Sequence, residues 1–100
     1  MRRFGTTLNT MTKRISFLVH GEVQGVNYRS FAQKKASSYG LTGWVSNTSN
    51  GKVEGEVQGD AESIQKYLKD LNSGPSAAHV VKVEKSEQEA KEGESSFEVK

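Results

Sequence analysis

Hydrophobic and polar residues alternate along several stretches of the chain, and a period of two is typical of strands with one buried face. The clearest example is "KVEGEVQG", in which Val53, Gly55 and Val57 face one way and charged or amide side chains face the other. Four such stretches predict strands, and the short "FEV" segment predicts an additional edge strand. They are residues 14–20, 41–47, 52–59, 78–87 and 97–99.

Two other segments repeat their apolar residues every three or four positions, which is the period of an α-helix. The first spans residues 28–39, with Asn27 predicted as its N-cap and Gly40 just beyond its end. The second follows Asp60, also a predicted N-cap, and ends at "SGPS". Its predicted apolar stripe consists of Ile64, Tyr67, Leu68 and Leu71.

The predicted order is strand, helix, strand, strand, helix, strand, followed by the short terminal strand. This order is that of a split βαβ, or ferredoxin-like, α+β fold. We expect an antiparallel sheet with two helices on one face and solvent on the other. Residues 13–100 then form one domain, and residues 1–12 a disordered extension.

The charge of the chain changes sign along its length. Of the formal net charge of +2, residues 1–14 carry +4 and residues 15–100 carry −2. A nucleic-acid-binding domain would carry its basic excess on the folded part, so we expect no nucleic-acid partner. No apolar run has the length of a membrane helix, so we expect no membrane partner and a cytoplasmic location. The alternative is a mitochondrial location, if the basic extension acts as a targeting segment.

Few residues could bind a metal. The chain has no cysteine and only two histidines, His20 and His79, which lie far apart in sequence. The carboxylates show no ligand-like spacing around them. We therefore predict no metal and no cofactor, and neither histidine is predicted to be catalytic.

The segment "GEVQGVNYR", residues 21–29, connects the first strand to the first helix. A helix start presents unpaired N–H groups and a partial positive charge, which together favour an anion. Gly25 allows the backbone to approach a ligand closely, and Arg29 adds a planar fork that can bind two phosphate oxygens. The pattern predicts a phosphate site.

The same segment resembles a signature of the acylphosphatase family. A second stretch, "GLTGWVSNTSNGKVEGEVQGD" (residues 40–60), resembles the other signature of that family, in the same order and spacing. The resemblance runs from Lys13 to Val99. This chain departs from the family pattern in having Tyr28 where phenylalanine is commoner and Glu22 where a basic residue is frequent.

The resemblance implies a metal-independent enzyme that hydrolyses the carboxyl-phosphate bond of small acyl phosphates. It further implies that Arg29 binds the phosphate and that Asn47 orients the attacking water. Inorganic phosphate would be the product and a competitive inhibitor, and we expect a monomer. The phosphate-binding loop would comprise Glu22, Val23, Gln24, Gly25, Val26, Asn27, Tyr28 and Arg29.

Other interpretations remain open at this point. A non-catalytic phosphate-binding module would keep the loop, and an RNA-binding sheet module would share the element order but needs exposed aromatic residues on the sheet. Taken singly, Arg29 could be a surface arginine and Asn47 a turn residue beside Thr48 and Ser49. We further expect Trp44, Phe17, Phe31 and Tyr67 in the core and the Lys/Glu-rich run 82–94 in solvent.

Overall fold

Five strands and two helices make up the part of the chain that the structure, a computed structural model, describes: residues 12–25 and 27–100. The elements are β1 (Thr12–Glu22), α1 (Tyr28–Ser38), β2 (Thr42–Asn47), β3 (Val53–Asp60), α2 (Ala61–Ser73), β4 (His79–Gln88) and β5 (Phe97–Val99). The extension predicted for residues 1–12 lies outside the described residues except for Thr12, where β1 begins. Neither helix in the described part is long and apolar enough to cross a membrane.

The strands form one sheet in the order β4-β1-β3-β2-β5. Pairing is antiparallel between β4 and β1, β1 and β3, and β3 and β2, whereas β5 pairs with β2 in parallel. Both helices pack against the sheet. The predicted ferredoxin-like α+β fold is confirmed. The predicted antiparallel arrangement holds for β1 to β4, whereas the sheet as a whole is mixed because the "FEV" segment adds to β2 in parallel.

Period-two alternation sets which side chains of the sheet are buried. Phe17 and Val19 of β1 are buried together with Val53 and Val57 of β3. The register pairs Val19 with Val53, and residues paired across two strands point to the same face of the sheet. The helices add their own buried side chains: Tyr28, Ala32 and Ala36 from α1, and Ile64, Tyr67 and Leu71 from α2. Burial of this apolar surface is the main stabilising contribution to such a domain.

Two aromatic residues expected in the core are not buried there. Trp44 alternates with the fully buried Val45 and therefore lies on the opposite, open face of the sheet, in a shallow groove with Leu18. Lys100 Nζ lies 5.2 Å from the centroid of its ring, a cation–π distance. Phe31 is only half-buried, against Tyr28.

A buried arginine on the open face holds the loop between β4 and β5. Only 1% of the surface of Arg14 is exposed, and its guanidinium donates to Glu56 Oε1 at 2.6 Å and to Glu94 Oε1 at 2.8 Å. The hydrogen bond from Arg14 lowers the pKa of the Glu94 carboxyl. The expectation that the whole 82–94 run is solvated is therefore wrong for Glu94.

This ion pair directs the chain from one edge of the sheet to the other. The backbone N–H of Lys91 donates to Gln58 Oε1 on β3, and Gly43 N donates to Ser96 O beside β2. The loop thus crosses the open face and delivers β5 to β2. As a result, the end of β5 reaches the same end of the sheet as the loop that precedes α1.

Candidate active site

A cavity of about 670 Å³ opens where β1 ends and α1 begins. Its walls come from the β1–α1 loop, the first turns of α1, the end of β2, the α2–β4 loop and β5. The lining residues are Val23, Gly25, Asn27, Tyr28, Arg29, Ser30, Gln33, Asn47, Ala77 and Val99. The two residues predicted to be catalytic, Arg29 and Asn47, therefore lie on one cavity although they are far apart in sequence.

The β1–α1 loop has a left-handed backbone at two positions. Gly25 has φ of 75° and Asn27 has φ of 66°, and Asn27 is the one non-glycine residue of positive φ within the described residues. Glycine and asparagine are the residues that adopt this conformation at least cost. Asn27 does occupy the N-cap position, but its side chain makes no capping hydrogen bond, so the prediction of a capping side chain is wrong.

The starts of the two helices differ in a way that favours an anion at α1. At α2, Asp60 Oδ2 accepts from the N–H groups of Glu62 and Ser63 at 3.1 and 3.2 Å. At α1 there is neither a capping side chain nor an acidic residue in the first turn. The first N–H groups of α1 therefore keep free donors and a partial positive charge at the edge of the cavity.

Arg29 carries the one charged side chain among the described lining residues. It is half-buried on the first turn of α1, and its Nη1 donates to the backbone oxygen of Lys100 at 3.0 Å. This bond uses one of the five N–H donors of the guanidinium. The other four N–H donors of the Arg29 guanidinium remain available to bind an anion in the cavity.

Asn47 is the last residue of β2, and its side chain is exposed to the cavity. Within the described part of the chain, its side-chain amide makes no hydrogen bond, although Ser46 Oγ donates to its backbone oxygen. The amide therefore has an acceptor and two donors free. Such a group can hold and aim a water molecule.

Gln24 ties the loop to the β2–β3 hairpin. Its Nε2 donates to Thr48 O and to Lys52 O, each at 2.9 Å. The same hairpin is closed by Thr48, whose N–H donates to Lys52 O and whose Oγ1 accepts from Lys52 N. Because Thr48 follows Asn47 directly, the Gln24 side chain fixes the distance between the loop and Asn47.

Tyr28 anchors the other end of the loop. Its ring is buried, and its hydroxyl donates to Leu71 O at the end of α2, at 2.6 Å. Burial strongly raises the pKa of the phenol, so Tyr28 stays neutral. The start of α1 is thereby fixed to α2.

The structure brings most of the predicted loop residues to the cavity. Val23, Gly25, Asn27, Tyr28 and Arg29 line it, whereas Glu22 and Gln24 do not, and Val26 lies outside the described residues. Sequence reasoning missed four lining residues: Ser30, Gln33, Ala77 and Val99. Gln33 follows Arg29 by one helical turn, which could have indicated its position.

No cluster of metal ligands occurs in the described part of the chain. The structure contains no group of three or more histidine, cysteine, aspartate or glutamate side chains close enough to hold an ion. The residues outside the description, 1–11 and Val26, include none of these four types. The lining residues instead offer N–H, guanidinium and amide groups, which suit an anion.

Comparison with known proteins identifies the family. The sequence pattern of the acylphosphatase family matches residues 15–99. This chain belongs to the acylphosphatase family. The acylphosphatase of Methylococcus capsulatus is 52% identical over 68 residues, covering 68% of this chain and 74% of that protein. The acylphosphatase of Azorhizobium caulinodans is 38% identical over 89 residues, covering 89% and 96%.

The fold is also that of solved acylphosphatases. The acylphosphatase structure from Coxiella burnetii superposes with a TM-score of 0.89 at 36% identity, over 96% of this chain and all of that one. The family acts on small acyl phosphates. The predicted membership of the acylphosphatase family is therefore confirmed, while the roles of individual residues stay predictions.

The Gln24 contact yields a testable prediction about positioning. Gln24→Ala removes both hydrogen bonds to the hairpin, so Asn47 loses its fixed distance from the loop. Misplacement by about 1 Å can cost on the order of a hundredfold in rate, so we expect acyl phosphate turnover to fall at least about tenfold. Competitive inhibition by phosphate should weaken less, because Tyr28 still holds the start of α1. The measurement is steady-state hydrolysis of acetyl phosphate. Gln65→Ala, at an exposed position of α2, is the matched control, and equal turnover in the two variants would contradict the positioning role.

Proposed function

We propose that this chain hydrolyses small acyl phosphates to a carboxylate and inorganic phosphate, with Arg29 and the β1–α1 loop binding the phosphoryl group and Asn47 orienting water. The observation that carries the proposal is the start of α1, which lacks a capping side chain and opens on one cavity with Arg29 and Asn47. Family membership supplies the reaction, and the cavity supplies groups suited to it.

Binding uses backbone donors and one side chain. The phosphoryl dianion lies at the start of α1, where free N–H groups and the helix dipole favour negative charge. Arg29 binds two of its oxygens through its fork. These donors are preorganised, since Gln24 and Tyr28 hold the two ends of the loop, and they stabilise the charge that spreads over the phosphoryl oxygens in the transition state.

The nucleophile is a water molecule held by Asn47. The amide accepts one hydrogen of the water and so points its lone pair at phosphorus. As the water oxygen bonds to phosphorus, the bond from phosphorus to the acyl oxygen breaks, and the electron pair leaves with the carboxylate. A carboxylate is a good leaving group, so the reaction needs no general acid.

The proton of the water passes to a phosphate oxygen. No aspartate, glutamate or histidine is among the described residues that line the cavity, and residues 1–11 contain none. The phenol of Tyr28 is held by Leu71 O and its pKa is raised by burial. The balanced reaction then converts an acyl phosphate dianion and water into a carboxylate and dihydrogen phosphate.

The remaining expectations concern partners and location. Phosphate, as product, competes with substrate for the same donors. We expect a monomer that uses no metal and binds neither nucleic acid nor a membrane, in the cytoplasm. Against nucleic acid, the groove on the open sheet face is lined by three glutamates, Glu54, Glu56 and Glu84, and one lysine, Lys85, so it lacks the basic excess that a phosphate backbone requires.

The direct test of the function is hydrolysis of acetyl phosphate by the full chain in the presence of a chelator. We expect phosphate release at an undiminished rate without added metal, with inorganic phosphate as a competitive inhibitor. Loss of activity in chelator that magnesium restores would contradict the metal-free mechanism. Protection of the fold by phosphate without any turnover would indicate a binding module instead of an enzyme.

Substitution of Arg29 tests whether this side chain binds the phosphate or is only a surface arginine. Arg29→Gln should weaken phosphate inhibition at least about tenfold, because charge-assisted hydrogen bonds are worth roughly 1.5–3 kcal/mol each, and should lower turnover further. Arg29→Lys should restore little, since a point charge cannot reproduce the fork. Thermal shift with and without phosphate, alongside hydrolysis, gives both readouts. A surface arginine would change stability by only about 0.5 kcal/mol and leave both readouts unchanged.

Substitution of Asn47 should lower the rate of hydrolysis and leave the affinity for phosphate unchanged. Asn47→Ala removes the group that aims the water, which acts only as the reaction proceeds, and loss of one preorganised polar group costs on the order of a hundredfold in rate. Phosphate inhibition and melting temperature should stay near those of the unmodified chain. Ser49→Ala, at an exposed position of the same turn, is the control. Normal turnover of Asn47→Ala would return Asn47 to the role of a turn residue.

A further inference from the structure

The cavity has two walls on opposite sides of the β1–α1 loop. The sheet order β4-β1-β3-β2-β5 places β1, and so the loop at its end, between β4 and the β3–β2–β5 part of the sheet. Asn47 at the end of β2 and Val99 of β5 line the cavity on one side. Ala77, in the α2–β4 loop two residues before His79 begins β4, lines it on the other, the register pairing His79 with Glu22 of β1.

Phosphoryl transfer fixes how a substrate must lie between these walls. The attacking and leaving oxygens are roughly in line through phosphorus. If Asn47 holds the water, the leaving oxygen and the acyl group attached to it point away from Asn47. We propose that the acyl group lies against the α2–β4 loop and that Ala77 sets the size of acyl group that the site accepts. This inference rests on the proposed function and on the role given to Asn47.

The α2–β4 wall is apolar and firmly placed. A Cβ built on Gly74 would lie 3.0 Å from Val80 Cγ2 and 3.4 Å from Tyr28 Cε2, so the first residue of the loop lies close to the Tyr28 ring. The Tyr28 hydroxyl is bound to Leu71 O just before this loop. Ala77 is itself exposed and small, which leaves room beside the bound phosphate.

The other wall suits water better than an acyl chain. Beside Val99 it presents the amides of Asn47 and Gln33, and Gln33 Nε2 donates to Phe97 O at 3.1 Å. The hydrogen bond from Arg29 to Lys100 O narrows the cavity on this side. Ala77 offers the acyl group only a small apolar surface, so the α2–β4 wall selects by size, between short aliphatic and aryl acyl groups.

The test compares two substrates that differ only in the acyl group, acetyl phosphate and benzoyl phosphate. In Ala77→Phe, the ring occupies the space of the acyl group, so the ratio of kcat/KM for benzoyl over acetyl phosphate should fall at least about tenfold, the lower end of what one methylene costs in a tight pocket. Ala77→Leu should lower the ratio less. Competitive inhibition by phosphate should change little in both.

Two variants at exposed positions serve as comparison. Ser76→Phe places the same ring one residue away from the cavity and should keep the ratio of the unmodified chain. Val99→Phe places the phenyl ring on the Asn47 side of the cavity. It should lower the rates for benzoyl and acetyl phosphate equally, so that their ratio does not change. An unchanged ratio in both Ala77 variants, or a larger change in Val99→Phe, overturns the inference while the hydrolysis itself stands. Failure of the unmodified chain to hydrolyse either substrate overturns the proposed function and, with it, this inference.

Discussion

Between β1 and α1 the backbone turns left-handed at Gly25 and again at Asn27, and the binding capacity of the site depends on this turn. The turn brings the chain into α1 without a capping side chain, so the first N–H groups keep their hydrogen-bonding capacity for a ligand. For most L-residues a left-handed backbone costs roughly 1–2 kcal/mol. Asparagine and glycine reduce that cost, and the surrounding contacts hold the conformation in place.

Those contacts connect the loop to three separate parts of the molecule. Gln24 binds the β2–β3 hairpin, Tyr28 binds the end of α2, and Arg29 binds the residue that follows β5. Each contact is a hydrogen bond to a backbone oxygen, so it specifies the position of the chain and not the identity of the partner side chain. The first N–H groups of α1, the Asn47 amide and the Arg29 guanidinium are thereby held at fixed separations around the cavity.

The open face of the sheet contributes to the site indirectly. A buried guanidinium without partners would be strongly destabilising, and Arg14 is satisfied by Glu56, Gln58 and Glu94. Through Glu94 this cluster fixes the loop that carries the chain across the sheet to β5. The end of β5 then supplies Val99 to the cavity, and the next residue, Lys100, supplies the backbone oxygen bound by Arg29. Packing on one face thus positions groups at the end of the sheet.

Sequence alone determined the features that depend on near neighbours in the chain. Alternation predicted the strands and the short segment that became β5, and helical periodicity predicted α1 and α2. Asp60 was predicted as a cap from its residue type, and its side chain does accept from the N–H groups two and three residues ahead. The two signatures resembled those of the acylphosphatase family, and this resemblance implied that Arg29 and Asn47 belong to one site. These signals are local, so they can be read without knowing the fold.

Only the tertiary structure decided the features that depend on strand order and register. Asn27 has a residue type suited to capping, yet its left-handed backbone leaves the side chain without a capping bond. Trp44 has the size of a core residue, yet the pairing of β2 places Val45 inward and Trp44 outward. Glu94 reaches a buried arginine 80 positions away in the chain. Ala77 and Val99 meet one cavity because β4 begins and β5 ends at the same end of the sheet. Such contacts join residues that are distant in sequence, and their geometry exists only once the sheet has formed.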